Sequence, residues 1–147
     1  MLPCWKRESW SGNVKKPRYV LDSFALPAYF QGESAALKVK EILEQARDEE
    51  AVVFLSLINL GEILYTVERR LGRDVSREIL QDILALPVRL AEVTLERVLS
   101  AAGIKASFPL SYADAFAAAL AQEMAAPVVT GDPEYKRVES MIPDLRL

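Results

Sequence analysis

The 147-residue chain contains no histidine. That absence excludes Ser-His-Asp and Cys-His nucleophile systems, HExxH zinc sites and any imidazole general base. Cysteine is almost as scarce. The single Cys4 closes no intramolecular disulfide and builds no cysteine-rich zinc site, so packing alone must hold the fold, as expected of a cytoplasmic protein in a reducing compartment. No stretch approaches the run of about 18 apolar residues that spans a bilayer. Met1 to Lys16 also lacks the apolar segment of a secretory signal, so the chain is expected to be neither inserted in a membrane nor exported. A large charge excess is missing too: 18 Lys and Arg stand against 21 Asp and Glu, a formal net charge of -3. This argues against coating nucleic acid by bulk positive charge and leaves room for a basic rim around an acidic centre.

What is present is 51% hydrophobic and 27% charged residues, enough apolar material for one compact domain. Its chemistry must run on carboxylates, lysine, arginine, tyrosine, hydroxyls or a metal. Residues 1–17, with Pro3, Gly12, Pro17 and two tryptophans, show no period of 2 or 3.6 and read as a tail outside a domain spanning 18–147. Arg18 to Leu21 is a short apolar run stopped by Asp22-Ser23, which predicts a buried strand feeding a helix. Glu33 to Glu50 places Leu37, Ile42, Leu43 and Ala46 at helical spacing. Ala51 to Leu55 is continuously apolar, as a parallel strand covered on both faces would be. Ser56 then caps a helix from Leu57 to Leu71, closed by Gly72.

Asp74 or Ser76 is expected to start a helix through Leu84, and Pro87 breaks the chain before a strand at Val88 to Leu90. Thr94 caps Leu95 to Ala106, and Ser111 begins an alanine-rich helix from Tyr112 to Met124 with Asp114 at the capping-box position. Pro127 to Thr130 is the next strand, followed by a helical turn after Asp132-Pro133 and a terminal Asp144 to Leu147. Short apolar strands alternating with helices predict an α/β three-layer sandwich, its central sheet mostly parallel and flanked by helices. Ligands of such sheets gather beyond the carboxyl ends of the strands.

Carboxylates stand at those ends. Asp22 follows the first strand directly, Glu62 lies in the helix after the second, Asp114 sits in the first turn of the alanine-rich helix, and Asp132 follows Val128-Val-Thr130. Each has an ordinary reading: Asp22 and Asp132 as helix caps, Asp114 as an acid favoured by the helix dipole, Glu62 as part of a solvated face. Glu62 fits its ordinary reading least, because Ile58, Leu60, Ile63 and Leu64 surround it. If the four converge, protons or a cation must neutralise them, and hard oxygen donors without His or Cys select Mg²⁺ or Mn²⁺. Such a site suits phosphodiester hydrolysis, with the Thr130 hydroxyl orienting a carboxylate or the water.

Tyr19-Val-Leu-Asp22-Ser, Ser56-Leu-Ile-Asn-Leu-Gly-Glu62-Ile-Leu-Tyr65, Leu110-Ser-Tyr-Ala-Asp114-Ala-Phe-Ala-Ala and Val128-Val-Thr-Gly-Asp132-Pro-Glu-Tyr135 together resemble the four acidic blocks of PIN-domain nucleases, and of VapC-type toxins in particular. The resemblance covers Arg18 to the C-terminus. It implies an endoribonuclease dependent on Mg²⁺ or Mn²⁺, a central parallel sheet, a homodimer, and inhibition by a cognate antitoxin protein. It assigns Asp22, Glu62, Asp114 and Asp132 to the metal and makes Thr130 the hydroxyl residue that often precedes the last acid. The segment before Lys16 departs from the family, whose first acid normally lies near the start.

An acidic centre repels RNA unless a basic rim holds the backbone, and Lys136 and Arg137, just past Asp132, are the first candidates for that rim. Tyr65, Tyr112 and Phe116 read as core or dimer packing rather than as base-stacking platforms. Asn59 is either a partner of a carboxylate or metal water, or a surface amide. Two other readings stay open: an aspartyl-phosphate phosphotransfer domain, weakened because no acid lies two residues past Asp22, and a non-catalytic module whose acidic cleft docks a basic partner.

Overall fold

The structure, a computed structural model, describes residues 16–138 and 140–147, so of the expected tail only Lys16 and Pro17 lie among the described residues. Strand β1 (Arg18–Leu21) pairs in parallel with β2 (Val52–Ser56), whose five residues are all buried, as a continuous apolar run predicts. β2 pairs with β3 (Arg89–Ala91) on its far side, while β1 pairs with β4 (Val128–Thr130), and β4 with β5 (Asp144–Arg146). The sheet therefore has five strands in the order β3-β2-β1-β4-β5, and every pairing is parallel.

Helices cover both faces, because alternate strand residues point to opposite sides. Val20, Phe54 and Val128 pack beneath α5 (Leu95–Ser107) and α6 (Tyr112–Met124). Leu21, Val53, Leu55 and Val129 pack beneath α1 (Ala25–Phe30), α2 (Ala36–Arg47), α3 (Leu57–Leu71) and α4 (Arg73–Ala85). This is the expected three-layer sandwich. Helix α6 is apolar almost all round, with Ala113 to Ala121 buried without interruption, and its alanines let it lie close to both α5 and the sheet. It ends at Ala125, whose backbone is left-handed at φ 50° and ψ 47°, a C-terminal conformation usually given to glycine or asparagine. Among the described residues no helix is long and apolar enough to cross a membrane.

The expected caps form: Ser56 Oγ accepts from Ile58 N–H, Thr94 Oγ1 from Arg97 N–H and Ser111 Oγ from Asp114 N–H. Two expectations need correction. The helix over Glu33 to Glu50 is shorter, Ala36 to Arg47, because the chain turns at Gly32 and leaves the helix through Glu49 at φ 59°. Neither Asp74 nor Ser76 starts α4. Gly72, at φ 94°, ends α3 and opens α4 in a single residue, and Ser76 is buried with its hydroxyl donating to the Leu64 carbonyl at 3.1 Å.

The strand order fixes where a ligand can sit. The chain builds outward from β1 to β2 and β3, then returns to the other side of β1 for β4 and β5. The order reverses between β1 and β4, and at such a switch point the connections diverge and leave a crevice beyond the carboxyl ends. Asp22 follows β1 there, and Thr130, Gly131 and Asp132 end or follow β4.

Candidate metal centre

Asp22 is buried where β1 gives way to α1. Its Oδ1 accepts the N–H groups of Phe24 and Ala25, each at 3.0 Å, so the capping role foreseen for it is real. Its carboxylate is also hydrogen-bonded to the Thr130 side chain. Burial dominates all the same and pushes its pKa up to about 7, with the charge of Asp114 adding to the rise. Thr130, fully buried at the end of β4, accepts the Asp132 N–H on its hydroxyl at 2.9 Å. One threonine thus ties the acid after β1 to the backbone of the acid after β4.

Asp114 rides on the first turn of α6, placed by the Ser111 cap. Its Oδ1 accepts the Tyr135 hydroxyl at 3.1 Å. Burial raises its pKa to about 6, and the charges of Asp132 and Glu62 push in the same direction. Asp132 is half-buried and caps the 3-10 helix Pro133–Val138, its Oδ1 accepting from Glu134 N–H at 2.9 Å. Glu62, half-buried on α3, lies near enough for its charge to act on Asp114. The predicted acids are therefore electrostatic neighbours on one edge of the sheet.

The tightest carboxylate group includes a residue that the sequence reading did not single out. One oxygen each from Asp114, Asp132 and Glu134 lie within 4.8 Å of one another. Glu134 was hidden because its position depends on the 3-10 turn that Pro133 opens; the only signal was a second acid two residues after Asp132. Tyr135, next in the same turn, was also missed. It is 1% exposed, and with Asp22, Asp114 and Asp132 facing it, its phenol is held protonated well above its usual range.

Asn59 is not a surface amide, and its partners are a hydroxyl and a backbone carbonyl rather than a carboxylate. It is fully buried, and its Nδ2 donates to Ser23 Oγ at 2.9 Å and to the Ala113 carbonyl at 3.2 Å. The amide thus joins the residue after Asp22 to the residue before Asp114. Its Oδ1 has no protein partner, a buried acceptor that a water could serve. Of the basic rim, Lys136 and Arg137 are exposed, and Arg137 Nη1 donates to the Pro109 carbonyl at 2.9 Å, which leans it toward the loop that leads into α6. Phe116 is core, whereas Tyr65 and Tyr112 are about half exposed, Tyr112 packing its ring against Phe116 and Tyr65 lying under Arg69.

The buried Asp22 and Asp114, with raised pKa values, stand beside half-buried carboxylates, and this set of hard oxygen donors fits a divalent cation. Without one, Asp22 and Asp114 keep protons to a higher pH than carboxyl groups in water do.

Known structures share this architecture. DNA-bound VapBC from Salmonella typhimurium superimposes with a TM-score of 0.69 at 15% identity, over 88% of this chain and 98% of that one. VapC20 of Mycobacterium tuberculosis, described as a sarcin-ricin loop cleaving toxin, gives 0.66 at 18% identity, over 88% and 99%. A toxin-antitoxin complex from Klebsiella pneumoniae gives 0.60 at 16% identity, over 88% and 99%. At such low identity the superpositions establish a common fold alone. No curated protein matches the sequence closely enough to count as a relative. The PIN domain family model, however, matches residues 19–140, from the second residue of β1 through the four predicted acids and the 3-10 turn. The chain belongs to the PIN domain family.

Proposed function

We propose that this protein is an endoribonuclease dependent on Mg²⁺ or Mn²⁺ that cleaves RNA phosphodiester bonds, and that it is the toxin of a toxin-antitoxin pair. The observation that carries the reading is the pair Asp22 and Asp114, both buried, both with raised pKa values, at the switch point of a parallel sheet beside Asp132, Glu134 and Glu62. A structural role alone does not account for collecting like charges there, since each raises the cost of ionising the next. The fold shared with VapC20 and with toxin-antitoxin complexes, together with PIN membership, supports the toxin reading.

When bound, the cation would neutralise charge on the scissile phosphate and lower the pKa of the attacking water. Asp22, Asp114, Asp132 and Glu62 would hold it, with Glu134 joining from the 3-10 turn. The protein's own work is positioning. The Phe24 and Ala25 amides and Thr130 fix Asp22, Tyr135 holds Asp114, and Asn59 locks together the two backbone segments that carry them. Lys136 and Arg137 would hold the RNA backbone beside the acids. The working form is a cytoplasmic homodimer, silenced by an antitoxin protein.

The test is cleavage of a mixed structured and single-stranded RNA pool by the purified protein with Mn²⁺, with EDTA, and with Asp114→Asn as the control for contaminating nuclease. Cleavage that needs both the metal and Asp114 is expected. Equal cleavage by the Asp114→Asn protein would remove the assigned site.

A further inference from the structure

The tyrosine beneath the acids poses a question that core packing does not answer. Tyr135 is among the largest fully buried side chains, and its ring belongs to the hydrophobic cluster of α5, α6 and the sheet. Phenylalanine would fill nearly the same volume without burying a hydroxyl. The hydroxyl reaches the first turn of α6, where it donates to Asp114: to the carboxylate Oδ1 at 3.1 Å and, at a longer 3.5 Å, toward the backbone carbonyl. Its own backbone lies in the 3-10 turn that carries Glu134 and follows Asp132. The phenol therefore spans from one wall of the carboxylate cluster to the other.

We propose that Tyr135 is a positioning residue for the metal: the hydrogen bond from its hydroxyl fixes the orientation of the Asp114 carboxylate and its distance from Asp132 and Glu134. The inference rests on the metal-site reading above. An aspartate carboxylate turns broadly about its last torsion, so a residue on the first turn of a helix does not by itself hold a ligand geometry. A donor on one oxygen sets the plane of the group. The three candidate oxygens then stand within 4.8 Å of one another, one from α6, one from Asp132 after β4 and one from the 3-10 turn. Partners of this kind, one step behind the ligands, typically contribute about 10-fold to 100-fold in metal affinity.

The experiment is calorimetric titration of the full chain with Mn²⁺ alone, comparing wild type, Tyr135→Phe and Tyr135→Leu, with urea unfolding to give the folded fraction of each. Tyr135→Phe should stay folded and bind Mn²⁺ about 10-fold more weakly per folded molecule. Its RNA cleavage should fall at limiting Mn²⁺ and recover at saturating Mn²⁺, an increase in the metal requirement rather than in lost protein. If Tyr135 served packing only, Tyr135→Phe would match wild type in Mn²⁺ affinity while Tyr135→Leu alone suffered, and the proposal would be overturned with the metal site intact. If wild type itself bound no Mn²⁺, the metal reading would fall and this inference with it.

Discussion

Asp22 shows how one side chain serves the fold and burdens it at once. Its Oδ1 caps α1 through two amides, yet burial lifts its pKa from 3.8 to about 7, while Asp114 rises to about 6. The unfolded chain releases these protons near 3.8 and the folded chain keeps them, so the native state binds more protons across the interval between. Stability of the metal-free protein should therefore fall as pH rises from about 4 to about 7, by up to several kcal/mol shared between two coupled groups. Asp22→Asn keeps an acceptor for the Phe24 and Ala25 amides and removes the charge. Its urea midpoint should exceed that of wild type at pH about 8 without metal, match it near pH 4, and accompany loss of Mn²⁺-dependent cleavage. A midpoint below wild type at both pH values would mean that the ionised carboxylate is stabilising. At this scale Asp22, Asp114 and Asp132 were legible in the sequence, because each directly ends a strand or starts a helix. Glu134 and Tyr135 were not, since the short 3-10 helix Pro133–Val138 decides which way they face, and Asn59 stayed ambiguous because helical spacing does not say which neighbour it meets.

Helix α6 carries Asp114 only as accurately as its own seating allows. Ala117 is fully buried, and the alanine run brings the helix against both α5 and the sheet. Ala117→Leu would need room for three more carbons where none exists and should cost about 1–3 kcal/mol in urea unfolding. Cleavage should drop by more than the unfolded fraction, because the displaced helix moves Asp114 away from Asp132. A variant with native stability would show that the layer is loosely packed. The long helices were readable from their length and caps and the buried strand β2 from its unbroken apolar run, and the Ser56, Thr94 and Ser111 caps formed where they were foreseen. Element ends were less so: Gly72 and Glu49 set them by adopting positive φ, which depends on how neighbouring helices meet.

For the molecule as a whole, alternating strands and helices announced a layered α/β fold, but nothing in periodicity says that the chain returns past β1 to lay down β4. The switch point between β1 and β4 is a property of that return, and so is the meeting of Asp22 with Asp132 through Thr130. The candidate acids then lie at the carboxyl edge of the sheet, and the strands start at the opposite edge. Ala125 lies there, between the end of α6 and the start of β4, in a left-handed conformation that costs a side-chain-bearing residue about 1 kcal/mol. Ala125→Gly should recover part of that in urea unfolding and leave Mn²⁺ affinity and cleavage rate unchanged. The two ends of the strands can therefore be altered separately. At Ala125, unlike at Asp22, the persistence of the folded protein is separable from the acidic site, so a mutation there can lengthen the life of this protein without touching the carboxylates.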